Sequence, residues 1–200
     1  YVFCYLDQST ERIRRFYLED ENSLDVVFMG ASDVPTAFAP GLAYDAYGFT
    51  SYLYTIDATP GSLYKYQLKE ILSTQNPQAI VVEVNGFLYN DGYQKQEVRL
   101  RMFAESIPFS LNKLDAIYHY NVDDKINYVF PFIKYHGDWV KGGKLLESYH
   151  WKTSKAAGPA LLKGITTCTL VAPYDPATIQ MPGQAAPEIA EAYLVDFLEY

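Results

Sequence analysis

Apolar residues form three short runs in the first half of the chain, and helical patterns separate them. Residues 24–29, 49–57 and 78–84 are rich in β-branched and aromatic side chains, as is typical of strands. Residues 35–47 carry helix signals, and residues 63–72 have apolar side chains at a spacing close to 3.6, which predicts a helix with one buried face. Strands that alternate with helices over short links predict an α/β fold with a parallel, doubly wound, flavodoxin-like sheet.

The second half of the chain is predicted to be mainly helical. Ser110 is a natural helix cap, because its hydroxyl can accept from a free amide of the first turn. The predicted helices are residues 93–105, 110–120, 123–135 and 187–200, in addition to a short helix at residues 11–20. A further strand is predicted at residues 165–172, within an irregular segment rich in glycine, threonine and proline.

We interpret residues 1–200 as a single domain. Residues 21–91 form the predicted sheet core, residues 92–140 a helical insertion, and residues 141–200 an irregular segment followed by the terminal helix. Three strands are few for this architecture, and the terminal helix has no stop signal. We therefore expect the sheet to be incomplete at the carboxyl end and to gain a further strand in the natural protein.

Composition narrows the classes of partner. Acidic residues outnumber basic ones, 24 to 16, so the formal net charge is −8, and no basic run occurs. Nucleic-acid binders need a positive footprint, which excludes nucleic acid as a partner. Cys4 and Cys168 are too few and too far apart for a zinc motif or a disulfide framework. The 19 tyrosines fit either a carbohydrate-facing protein or ordinary core packing.

Membrane contact is expected only through a segment outside the sequence. No apolar run of about 18 residues is present, which is the length that a spanning helix needs. The chain begins at Tyr1 rather than at a methionine, so a signal or anchor helix upstream is the expected route to a membrane.

Two polar loops follow predicted strands and are the candidates for chemistry. Gly30-Ala31-Ser32-Asp33 follows the first strand, and Asn85-Gly86 follows the third. Ligands of open α/β sheets bind at the carboxyl ends of the strands, where these loops converge. Ser32 is therefore either a nucleophile or a small residue in a strand-to-helix turn. Asn85 is either a hydrogen-bond donor to a ligand or part of an Asn-Gly turn.

Other polar residues have structural interpretations beside the functional ones. Asp33 is predicted to cap the helix that follows it. Glu83 lies in an apolar strand and needs a partner, either Lys69 or a backbone amide, because an unpaired buried carboxylate is costly. The histidines, at positions 119, 136 and 150, are scattered among aromatic residues and are interpreted as structural, so neither a metal nor a cofactor is predicted.

Three segments together resemble the SGNH (GDSL-like) hydrolase superfamily. They are LDVVFMGASDV, AYGFTSYLYTIDATPGSLYKYQLKEIL and QNPQAIVVEVNGF. The resemblance is closest to the cell-surface branch of DltD-type and alginate O-acetylase-like proteins, and YVFPFIKYHGDW is similar to a segment of its membrane-anchored members. It covers roughly residues 20–140.

The resemblance implies a role for each matching residue. Ser32 matches the nucleophile, Asn85 the side-chain donor to the oxyanion, and Gly61 a possible backbone donor, with Gly30 and Asp33 beside the nucleophile. Asp33 stands where this branch usually has histidine. The family's late Asp-x-x-His motif, which supplies the base, does not occur here, since Asp115 and His119 are one residue too far apart. The 200 residues alone are therefore expected to be inactive.

Three hypotheses for function follow. The first is an SGNH-like serine esterase or O-acyltransferase that acts on acyl groups of a cell-surface glycan or teichoic-acid-like polymer, at the outer face of a bacterial membrane. The second is an SGNH-like domain without catalysis that serves in binding or assembly at the same surface. The third is a flavodoxin-like module that binds a ligand above the same loops.

Overall fold

The computed structural model describes residues 8–120, 122–135, 163–165 and 187–200. The helices and strands are α1 (Gln8–Phe16), β1 (Val26–Gly30), α2 (Asp33–Ala37), α3 (Pro40–Tyr47), β2 (Ser51–Thr55), α4 (Tyr64–Thr74), β3 (Ala79–Val82), α5 (Asp91–Gln94), α6 (Glu97–Ala104), α7 (Leu111–His119), α8 (Lys125–Val129), α9 (Pro131–Lys134) and α10 (Glu188–Leu198). Short 3₁₀ helices follow β2 and β3, at Gly61–Leu63 and Asn85–Leu88. The strand predicted at residues 165–172 lies outside the described residues, apart from Ile165.

The three predicted strands form one parallel sheet in the order β2-β1-β3. In the register of the sheet, Phe28 of the central strand lies opposite Leu53 on one side and Val81 on the other. The prediction of an α/β protein with a parallel sheet is therefore confirmed. The outer edge of β2 is hydrogen-bonded to a segment that is distant in sequence. The Leu53 amide donates to the Lys163 carbonyl at 3.1 Å.

Helices cover the two faces of the sheet differently. Val27 and Met29 point to one face, where Phe16 of α1 and Ile71 of α4 join them in the main core. Phe28 points to the other face, where its ring stacks on Phe38 with the centroids 4.1 Å apart. The connection from β1 to β2 therefore runs over one face, and α4, which leads to β3, lies on the opposite face.

Prolines divide two of the predicted helices. The single helix predicted over residues 35–47 is wrong: α2 ends at Ala37, and α3 begins at Pro40. The helix predicted over residues 123–135 is likewise divided into α8 and α9 at Pro131. In both cases proline lacks an amide hydrogen and keeps the preceding residue out of the helical region, so the helix must restart.

Other helix boundaries also differ from the prediction. The predicted helix over residues 93–105 is two helices. Asn90 caps the first, α5, by accepting from the Tyr93 amide, and α6 begins separately at Glu97. The first helix lies at Gln8–Phe16 rather than at residues 11–20. Leu72 was expected in the buried face of α4 but is 46% exposed.

Two signals at helix ends are confirmed. Gly48 ends α3 in the left-handed conformation, with φ 77°, and its amide donates to the Tyr44 carbonyl at 2.8 Å. Ser110 caps α7 by accepting from the Lys113 amide at 3.0 Å.

No helix among the described residues is long and apolar enough to span a bilayer.

Asp25 ties together the amino ends of the three strands. Its carboxylate accepts from the Thr50 amide at 2.7 Å and from the Thr50 hydroxyl at 2.9 Å, just before β2. It also accepts from the Gln78 side chain at 3.0 Å, just before β3. The hydrogen bonds from Thr50 and Gln78 favour the charged form, which lowers the pKa of Asp25 below its ordinary value of 3.8.

This arrangement predicts an acid-dependent contribution to stability from Asp25. Because folding lowers the pKa, the contribution is present above the ordinary pKa and is lost as the pH falls through the folded value. We expect Asp25→Asn to lower the free energy of unfolding at neutral pH. We also expect the variant to lose less stability than the parent protein between about pH 5 and about pH 2, as measured by urea unfolding.

Asp45→Asn is the matched control, since Asp45 is an exposed carboxylate of α3. This variant should keep the parent protein's dependence on pH. The same dependence in Asp25→Asn and in the parent would contradict the role given to Asp25.

Candidate functional site

Ser32 is an exposed residue in the turn that follows the carboxyl end of the central strand. It occupies the N-cap position of α2 with helical backbone angles, and its side chain makes no capping hydrogen bond. Gly30 and Ala31, which precede it, are buried, and Gly30 packs closely against Glu83 after β3. A serine that is exposed at this edge of a parallel sheet is placed where a ligand could reach it.

Asp33 and Asn85 join the loop after β1 to the loop after β3. The Asn85 amide nitrogen Nδ2 donates to Asp33 Oδ2 at 2.9 Å, and both residues are exposed. A carboxylate only accepts, so the amide must turn its NH₂ group toward Asp33. The predicted capping of α2 by the Asp33 carboxylate is therefore wrong, since that carboxylate pairs with Asn85.

Glu83 joins three elements through one carboxylate. Oε2 accepts from the Ala31 amide at 3.0 Å and from the Tyr64 hydroxyl at 3.1 Å, while Oε1 accepts from the Asn85 amide. The expectation that Glu83 has a backbone amide as its partner is confirmed. Lys69, the alternative partner, pairs instead with Asp115 at 3.6 Å.

Two glycines allow this close approach. A Cβ at Gly30 would lie 2.5 Å from the Cβ of Glu83, so any side chain there would displace the carboxylate. A Cβ at Gly86 would lie 2.5 Å from the Tyr64 hydroxyl and 2.7 Å from the Thr59 carbonyl. The glycine of the Asn-Gly pair is thus required by packing against α4 and the turn after β2.

Gly61 belongs to the turn after β2 and is buried under Phe87. A Cβ at Gly61 would lie 2.4 Å from the Phe87 ring, which brings this turn against the loop that carries Asn85. Phe87 and Tyr64 in turn contact Phe197 of α10, with centroids 5.8 and 6.4 Å away. The three loops at the carboxyl edge are therefore in one connected cluster, as the strand order predicts.

Two tyrosines near the loops have raised pKa values. Burial raises the pKa of Tyr64, and the Glu83 carboxylate raises it further, so the neutral phenol donates a hydrogen bond to Glu83. Burial also raises the pKa of Tyr89, with further increases from Tyr93, Glu83 and Asp33. Tyr89 packs against Tyr93 with the centroids 4.6 Å apart.

Among the described residues, no histidine is hydrogen-bonded to the Ser32 hydroxyl. His119, the histidine within those ranges, pairs through Nδ1 with Asp115 Oδ1 at 3.0 Å on the surface of α7. The two residues are thus adjacent, although they do not form the family's Asp-x-x-His motif. The described ranges contain no group of three or more metal-ligating side chains, and His136 and His150 lie outside them.

The sequence indicates Ser32, Asn85 and Glu83 and a backbone-amide partner for Glu83, but it does not reveal the side-chain partners of Glu83 and Asn85. Nothing in the sequence links Tyr64 to Glu83, or Asp33 to Asn85, because these contacts depend on the register of three strands. A serine at this edge with an amide donor on the neighbouring loop can, with a base, attack an acyl carbonyl and hold the oxyanion.

Comparison with known proteins adds no assignment: no family model, no curated protein and no solved structure matches the chain.

The three hydrogen bonds of Glu83 predict a cost when one acceptor is lost. In Glu83→Gln an NH₂ group replaces one oxygen and cannot accept from a backbone amide or a phenol. We expect the free energy of unfolding to fall by about 1–3 kcal/mol, as measured by urea unfolding at neutral pH. Glu21→Gln, at an exposed position, is the control and should change it by less than about 0.5 kcal/mol. Equal stability of the two variants would contradict this role.

Proposed function

We propose that the chain is part of an SGNH-like serine esterase or O-acyltransferase that acts on acyl groups of cell-surface polymers. The observation that carries the proposal is the hydrogen bond between Asp33 and Asn85. It brings the loop with the exposed Ser32 to the loop with the predicted oxyanion donor. An SGNH-type site needs this pairing of loops, and a serine in an unrelated turn does not.

The strand order supports the finer proposal of a doubly wound sheet. The order β2-β1-β3 is that of the first three strands in flavodoxin-like sheets. Phe28 stacks on Phe38 in the connection from β1 to β2, while Ile71 of α4 belongs to the same core cluster as Val27. Crossovers on opposite faces, which right-handed connections require in this order, would give this arrangement.

The proposed reaction begins with attack of Ser32 Oγ on the acyl carbonyl. The bond from Oγ to the carbonyl carbon forms as the serine proton passes to a base, and the carbonyl oxygen becomes an oxyanion. Asn85 Nδ2 carries a second hydrogen besides the one given to Asp33, and a donor to the oxyanion is worth roughly 3 kcal/mol. The proposed base is an Asp-x-x-His pair of the kind that the family uses, outside the described residues.

The proposed setting of the enzyme is the outer face of a bacterial membrane. An acylated glycan or a teichoic-acid-like polymer is the proposed substrate. The proposal does not need a cofactor, because a serine, a base and hydrogen-bond donors suffice for acyl transfer.

A second candidate function is an SGNH-like domain that binds or assembles without catalysis. Asp33 favours it, because it places a carboxylate where the family has histidine. The missing Asp-x-x-His motif also favours it, because the 200 residues then lack the base that the family uses.

Labelling of the full-length natural protein with a serine-reactive fluorophosphonate separates the two functions. We expect labelling in the parent protein and its loss in Ser32→Ala, because only a hydroxyl activated by a base reacts quickly. Ser23→Ala is the control, since Ser23 is also exposed and lies in a turn before β1. Absence of labelling in the folded parent, or labelling that persists in Ser32→Ala, would overturn the catalytic proposal and favour the binding function.

A further inference from the structure

Two carboxylates lie beside the candidate nucleophile. Asp33 follows Ser32 directly, is exposed, and is held in place by the 2.9 Å bond from Asn85. Glu83 is held at the same edge by the Ala31 amide, which precedes Ser32. Hydrogen bonds therefore hold both carboxylates on the two loops that flank Ser32.

Their negative charge is not balanced by an ion pair within the described ranges. The partners of Asp33 and Glu83 are neutral donors, namely the Asn85 side chain, two backbone amides and the Tyr64 hydroxyl. Two carboxylates without a cationic partner among the described residues therefore lie on the loops that flank Ser32, in a chain whose formal net charge is −8.

A negative potential discriminates among acyl substrates by charge. It repels a substrate that carries phosphate or carboxylate groups near the reacting ester and leaves an uncharged ester unaffected. The two proposed substrates differ in this respect, since a teichoic-acid-like polymer is a polyanion and many acylated glycans are neutral.

We propose that Asp33 makes the Ser32 site selective against anionic acyl substrates, so that its substrates are acyl esters of uncharged glycans rather than of polyanionic polymers. This inference rests on the proposed esterase or acyltransferase function. Asp33 is a specificity-determining residue in this account, and its hydrogen bond with Asn85 fixes where the charge lies.

The test compares two fluorophosphonate probes on the full-length natural protein. One probe has an uncharged alkyl tail, and the other has the same tail ending in a carboxylate. We expect the parent protein to react about tenfold faster with the uncharged probe, and we expect this ratio to fall toward one as salt screens the charge.

Asp33→Asn isolates the charge, because asparagine keeps an oxygen that can accept from Asn85 while the negative charge is removed. In this variant the ratio of the two labelling rates at low salt should fall toward one, and the Glu83 carboxylate leaves only a smaller residual preference. Asp45→Asn removes the same charge from an exposed position on α3 and should keep the parent ratio. The salt dependence of the parent protein needs no variant and tests the same charge independently.

The outcomes separate this inference from the proposed function. Ser32-dependent labelling at equal rates by both probes would overturn the charge selectivity and leave the esterase or acyltransferase function standing. The same ratio of labelling rates in Asp33→Asn as in the parent protein would also overturn the role of Asp33. Absence of labelling with both probes would overturn the proposed function, and this inference with it.

Discussion

The candidate site depends on one carboxylate that accepts from three elements at once. Glu83, at the end of β3, receives hydrogen bonds from the turn before Ser32, from the backbone of Asn85 and from Tyr64 at the start of α4. Each donor left unpaired in a partly buried position would cost about 1–3 kcal/mol. The positions of Ser32 and Asn85 relative to each other therefore follow from Glu83, and the bond between Asp33 and Asn85 adds a second link between the same loops.

Carboxylates link the strands at both ends of the sheet. Asp25 binds Thr50 and Gln78 where the strands begin, as Glu83 binds its donors where they end. Parallel strands cannot be joined by tight hairpins, so their loops must be held together by other contacts. At the carboxyl end such contacts also define the edge at which a substrate would bind, and they leave that edge negatively charged.

The stop at Gly48 and the cap at Ser110 were predictable because each is a local property of the chain. The parallel sheet was predictable because strand and helix patterns alternate along the chain. The helix breaks at Pro40 and Pro131 were missed because the apolar spacing continues across them, although proline chemistry explains both. Glu83 was identified because a carboxylate in an apolar strand needs a partner. Its partner Tyr64 could not be predicted, nor could the pairing of Asp33 with Asn85, because the sheet register brings together residues 19 and 52 positions apart.

Amide hydrogen exchange measured by NMR tests whether Glu83 holds the Ser32 and Asn85 loops together. We expect slow exchange at the Ala31 and Asn85 amides of the parent protein and faster exchange at one or both in Glu83→Gln. The Val26 amide, which donates to the Thr50 carbonyl at the opposite end of the sheet, should keep its protection. Fast exchange at the Ala31 and Asn85 amides in the parent protein, or unchanged protection at both in Glu83→Gln, would contradict the role of Glu83 in holding these loops together.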